Sequence, residues 1–119
     1  MLIMVAGPYS TDGADTLKRA ANLTVLNEAA LQVFRRGHIP VIGVNAALPI
    51  IAVAGETAYD EIMMPVSLAL AERCDACLRV GGPSAGADAE VQRFRRRGLP
   101  VYSSLDDIPL NSVGNATMP

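Results

Sequence analysis

The chain has 119 residues, the size of one domain. Half of it is hydrophobic and 18% is charged, which excludes a disordered or collagen-like chain. A net charge of −2 gives no long-range attraction to a polyanion, and three Tyr, two Phe and no Trp are too few for the several aromatic platforms of a base-stacking nucleic-acid binder, so nucleic acid is not an expected partner.

The first residues, Leu2 to Ala6, form a continuous apolar run ended by Gly7-Pro8. This suits a strand buried on both faces of a parallel sheet. No basic segment precedes the run, so it does not read as a signal peptide. A turn-rich stretch from Pro8 to Gly13 follows. From Asp15 to Arg36 the pattern is helical: Leu17, Ala21, Val25, Leu26, Ala29, Val33 and Phe34 recur at spacings of three and four. Arg35 and Arg36 suit the negative end of the helix dipole, and Gly37 suits the position after it. Ile39-Pro40-Val41-Ile42 reads as a second, short strand. Gly43 to Thr57 is apolar but carries no helix or strand periodicity, and is expected to be irregular. The apolar run from Ile39 to Ala54 is broken by Asn45 and Pro49 and falls short of the ~20 residues of a membrane helix. A soluble cytoplasmic protein with no membrane partner is the expectation.

Tyr59 to Arg73 is predicted helical, with Ile62, Val66, Ala69 and Leu70 on one face and Pro65 as a kink or a first-turn residue. Ala76 to Val80 is the third strand, Gly81 to Gly86 a tight turn, Ala87 to Arg97 the third helix, and Leu99 to Tyr102 the fourth strand. Ser104 is placed to cap a short turn through Asp107. The domain is expected to span residues 1–108, followed by a loose polar tail, 109–119. Cys74 and Cys77 form C-x-x-C across a helix end and a strand, the wrong context for a redox pair, and read as buried small hydrophobes. Two Cys and one His cannot make a four-ligand zinc site, and no metal is expected.

Alternating strands and helices mean βαβ units, a parallel sheet and right-handed crossovers. The prediction is an α/β, three-layer Rossmann- or flavodoxin-like sheet of four strands in the order 2-1-3-4. Ligands in such sheets bind at the carboxyl ends of the strands, beside the point where the strand order reverses. That brings together Gly7-Pro8-Tyr9-Ser10 after strand 1 and Gly81 to Gly86 after strand 3.

Ser84 to Glu90 is the most informative stretch. Ser84 falls at a helix N-cap, followed by the small residues Ala85, Gly86 and Ala87. Small residues let a ligand approach the free N–H groups there, and the dipole favours an anion such as phosphate. Glu90 lies one to two turns further in, and its side chain leans back toward that end. A plain serine cap with a surface glutamate fits the same spacing.

Taken together, Gly7-Pro8-Tyr9, Gly37-His38, Cys74-Asp75-Ala76 and Ser84-x-Gly86-x-x-x-Glu90 resemble the nucleoside 2-deoxyribosyltransferase-like superfamily, over Leu2 to about Tyr102. The likeness is to its short members and to 2′-deoxynucleoside 5′-phosphate N-hydrolases. It implies cleavage of an N-glycosidic bond, with Glu90 attacking C1′ of a deoxyribose and water or another base resolving the glycosyl-enzyme. It also implies that Ser84 favours a 5′-phosphate and that Tyr9 stands beside the sugar and Glu90. Gly7, Pro8, Ser10, Ser84, Ala85, Gly86 and Ala87 are the expected substrate-binding set, and no cofactor is implied. Where relatives carry an acidic or amide residue facing the base, this chain has Ser67; Asp60, with Glu61 beside it, is the nearest acidic substitute. Asp75 and His38 lie at amino ends of strands and read as structural, and Asn22 and Asn27 as polar surface. Arg93, Arg95, Arg96 and Arg97 read as a solvated helix end.

Two other readings stay open. One is a non-catalytic nucleotide-binding or sensing module, favoured by Ser67. The other is a phosphoribohydrolase with a Pro-Gly-Gly-x-Gly-Thr-x-x-Glu motif, of which Gly86 and Glu90 keep the spacing while Ala87 replaces the threonine. A homodimer or higher assembly is expected, with Gly43 to Thr57 and the Tyr59–Arg73 helix at the contact. Asn111 or Asn115 of a neighbour is then a candidate to approach the ligand.

Overall fold

The computed structural model describes residues Met1 to Asn111. Its elements are β1 (Leu2–Ala6), α1 (Thr16–Arg35), β2 (Ile39–Val41), α2 (Gly43–Ala54), α3 (Tyr59–Ala71), β3 (Ala76–Arg79), α4 (Ala85–Arg96) and β4 (Val101–Tyr102). One-turn helices span Thr11–Gly13, Glu56–Ala58 and Leu105–Asp107. All four strands are parallel, in the order β2-β1-β3-β4, as predicted. No helix among the described residues is long and apolar enough to cross a membrane.

The central strand explains its own composition. β1 is bonded on both edges, with Ile3 opposite Pro40 and Ala76, and Met4 opposite Val41 and Cys77. Its two faces serve two cores. Ile3 and Val5 pack with Leu26, Ala29 and Val33 of α1, Ala76 and Leu78 of β3, and Ile108. Met4 and Ala6 pack with Ala71 of α3, Cys74, Cys77, and Val91 and Phe94 of α4. A strand buried on both faces has no polar alternation to show, which is why the run reads as continuous. The two cysteines are free and buried, and burial pushes their thiols up to about 11 at Cys74 and about 12 at Cys77. They are inert core residues.

α1 starts at Asp15, whose side chain accepts the Lys18 N–H at 2.8 Å, and the chain turns away at Gly37 with φ of 89°. The helix buries a narrower stripe than expected. Leu26, Ala29 and Val33 face the sheet, whereas Leu17, Val25 and Phe34 are exposed.

The segment from Gly43 corrects the sequence reading: it is a helix to Ala54, not an irregular loop. Its only side-chain polarity is Asn45, so no polar face contrasts with an apolar one and no period can appear. Pro49 sits inside it, as Pro65 sits inside α3, beyond the first turn. α2 crosses α3 where Gly43 meets Ser67; any Cβ at position 43 would overlap the Ser67 side chain. The pair of small residues sets how closely the helices approach.

Several polar residues fasten the amino ends of the strands. The Asp75 carboxylate accepts the Leu2 N–H at 2.7 Å. His38 is buried between the Met1 amino group, 2.9 Å from Nδ1, and the Pro109 carbonyl, 2.6 Å from Nε2. Both residues are structural, as expected. Asn111 donates to the carbonyls of Arg36 and Gly37 within its own chain, and Asn115 lies outside the described residues. The arginines that end α4 are only partly a solvated face. Arg97 donates to the Ala71 and Cys74 carbonyls and Arg93 to Glu72, tying α4 to the end of α3.

Candidate active site

The carboxyl ends of β1 and β3 open into a cleft of about 240 Å³. Its floor and walls come from the loop after β1 (Gly7, Tyr9, Ser10, Thr11), from Val44 of α2, from one side of α3, and from the start of α4. Gly7 is required by the approach of the two loops. A Cβ there would stand 2.7 Å from the Val80 carbonyl oxygen and 3.0 Å from a Leu26 methyl. The chain must pass this close for the β1 loop to reach the cleft.

The α4 end is built as the sequence spacing predicts. Ser84 caps the helix in an extended conformation, and its hydroxyl accepts the Ala87 N–H at 3.2 Å. The Ser84 carbonyl takes the Asp88 N–H at 3.0 Å. Helix geometry leaves the N–H groups of Ala85 and Gly86 without an intrahelical acceptor, and both residues line the cleft. The preceding turn is braced by Arg79, whose guanidinium donates to the Val80 and Gly82 carbonyls and approaches Asp88 at 3.5 Å.

Glu90 lines the same cleft and is 8% exposed. Burial raises its carboxyl from 4.5 to about 7, and the nearby Arg79 charge acts in the opposite sense. A carboxyl of this kind exchanges its proton near neutrality, the range in which general acids, bases and carboxylate nucleophiles work.

Of the expected site residues, the cleft unites Gly7, Tyr9, Ser10, Ser84, Ala85, Gly86, Ala87 and Glu90. Pro8 points elsewhere: with Lys18, Asn22 and Gly81 to Pro83 it lines a second cavity of about 510 Å³ on the α1 side. Asp60 and Glu61 are exposed and do not line the cleft. The side of α3 that does is Tyr59, Met63 and Ser67, with Met64 beside them. Residues at i, i+4 and i+8 share one helix face, and this spacing was available in the sequence. The helix turns the acidic Asp60 and Glu61 away from the cleft. Ser67 lies at the cleft, 3% exposed, its hydroxyl 4.0 Å from the Met63 sulfur. Asn22 does more than face solvent, since it donates to the Tyr9 carbonyl at 2.8 Å and holds that loop to α1. Asn27 accepts from Asn45 at 2.8 Å, joining α1 to α2.

The sequence matches no model of a known protein family and no curated protein.

Proposed function

We propose that this chain binds a 2′-deoxynucleoside 5′-monophosphate in the cleft and cleaves its N-glycosidic bond, with Glu90 as nucleophile. The observation that carries the reading is the pairing of a buried carboxyl titrating near 7 with the capped N-terminus of α4 in one cleft. The N–H groups of Ala85 and Gly86, with the helix dipole, suit a phosphate. Glu90, leaning back along the same helix, then meets the sugar attached to it. Its carboxylate oxygen forms a bond to C1′ while the C1′–N pair leaves with the base. Water then adds at C1′, the glycosyl ester breaks, and Glu90 regains its carboxylate. The net products are the free base and the sugar phosphate.

Glu90 is the only carboxylate among the described side chains that line the cleft, so none of the others is assigned the proton taken up by the leaving base. That feature favours a second reading, a nucleotide-binding module without turnover. Incubation with a panel of nucleoside and deoxynucleoside monophosphates, followed by chromatography for free base, separates the two. Release that disappears in Glu90→Ala supports the glycosidase. Tight binding with no release supports the module, and neither binding nor release removes both. The same reading makes the chain a cytoplasmic protein acting on a small molecule. It is proposed to work as a homodimer through α2 and α3.

A further inference from the structure

The two tyrosines of the cleft come from separate segments, and one cation lies within reach of both rings. Tyr9 follows β1, and Tyr59 opens α3. The Arg19 guanidinium carbon, in the first turn of α1, is 5.7 Å from the centre of the Tyr9 ring and 5.1 Å from that of Tyr59. Both distances are within the range of attraction between a cation and an aromatic face. Nη1 of Arg19 donates to Glu56 at 3.0 Å. Its Nε is buried and has no hydrogen-bond acceptor among the described residues. Leaving a buried N–H unpaired is unfavourable, so hydrogen bonding at Nε is not what holds the side chain here. What it does have is ring contact.

We propose that Arg19 is a positioning residue of the cleft, holding the Tyr9 and Tyr59 rings together as the aromatic wall that the bound nucleotide meets. The inference rests on the nucleotide reading given above. Other contacts hold the periphery of the two tyrosines: the Tyr59 hydroxyl donates to Ser10 at 2.8 Å, and Asn22 holds the Tyr9 carbonyl. The guanidinium acts on the ring faces. A planar, weakly hydrated guanidinium stacks on aromatic rings in a way that an ammonium does not, so lysine is the diagnostic replacement. The Glu56 pair is secondary, because the Glu56 side chain is 70% exposed and exposed ion pairs are weak.

The chain has three Tyr and no Trp, so a Tyr102→Phe background leaves Tyr9 and Tyr59 as its only phenols. In that background Arg19→Lys is expected to weaken binding of 2′-deoxynucleoside 5′-monophosphates at least about fivefold, the scale of losing two partly desolvated ring contacts. The near-ultraviolet circular dichroism of the tyrosines should fall in parallel, while the thermal midpoint stays close to that of the parent. Glu56→Gln should leave both binding and the tyrosine signal near the parent. Equal binding and an equal tyrosine signal in Arg19→Lys overturn the inference. A loss in Glu56→Gln as large as in Arg19→Lys overturns it as well, since the ion pair would then be the cause. A parent that binds no nucleotide at all sinks the nucleotide reading and, with it, the role in ligand binding. The tyrosine signal then decides only whether Arg19 orders the two rings.

Discussion

A carboxyl held near neutrality by burial leaves a thermodynamic signature at the scale of one residue. Glu90 ionises at 4.5 in the ordinary case and at about 7 in the folded chain. Between those values the folded state holds a proton that the unfolded state has released, so stability falls as pH rises through that window. The difference corresponds to about 3 kcal/mol, fully felt above about pH 7 and absent below about pH 4.5. Glu90→Gln removes the ionisation and should raise the unfolding free energy at pH 8 by a comparable amount, with little effect at pH 4. Thermal or denaturant unfolding at the two pH values checks this. An equal effect at both would mean that the carboxyl is not held protonated by its surroundings. The activity proposed for it has the matching dependence. A carboxylate nucleophile needs the deprotonated form, so base release should climb on an acidic limb centred near pH 7.

At the scale of elements, the start of α4 serves as a cap and, on the proposed reading, as an anion seat, and substitutions at Ser84 separate these roles. Ser84→Ala loses the acceptor for the Ala87 N–H and should cost about 1 kcal/mol of stability. Ser84→Asp keeps an acceptor, so the helix stays capped, but it adds a negative charge where the phosphate is proposed to bind. It should therefore fold normally and lose most of the preference for deoxynucleoside monophosphates over nucleosides, a preference expected to be about tenfold in the parent from one charge-assisted bond. Undiminished preference in Ser84→Asp, by calorimetric titration, would move the phosphate away from this helix end. The α2–α3 crossing makes a separate prediction. Gly43→Ala pushes a methyl into Ser67 and should destabilise the chain by about 1–3 kcal/mol through overpacking. The contrast between these helices shows what a sequence can display. α4 was legible because a cap residue, small residues and a charged end stand in order from Ser84 to Arg97. α2 was not, because a helix without charge offers no pattern to detect. The α3 wall was half legible: its helical period was plain, but nothing in the spacing said which face met the cleft. That depends on the Gly43–Ser67 contact, between residues far apart in sequence.

At the scale of the molecule, strand order was readable because right-handed crossovers and apolar strand runs leave few arrangements for four parallel strands. Among the described residues the same topology leaves the outer side of α2 uncovered. Gly43 to Gly55 contains no charged residue, and the outer side of α2 presents Ala46, Pro49, Ile50 and Val53 to solvent, Val53 at 91% exposure and Ile50 at 49%. Apolar helices of globular chains are ordinarily buried, and contiguous exposed apolar surface marks an association site. A second copy of the chain is the proposed partner, since the patch is uncharged and self-association puts no like charges face to face. Light scattering at tens of micromolar should give about twice the 12.5 kDa of one chain. Val53→Glu, with Ile50→Glu added if needed, sets like charges against each other across a two-fold contact and should return the monomer mass. Because Val53 is open to solvent in the single chain, its circular dichroism and fold should be kept. A parent chain already at 12.5 kDa under these conditions would rule out the dimer.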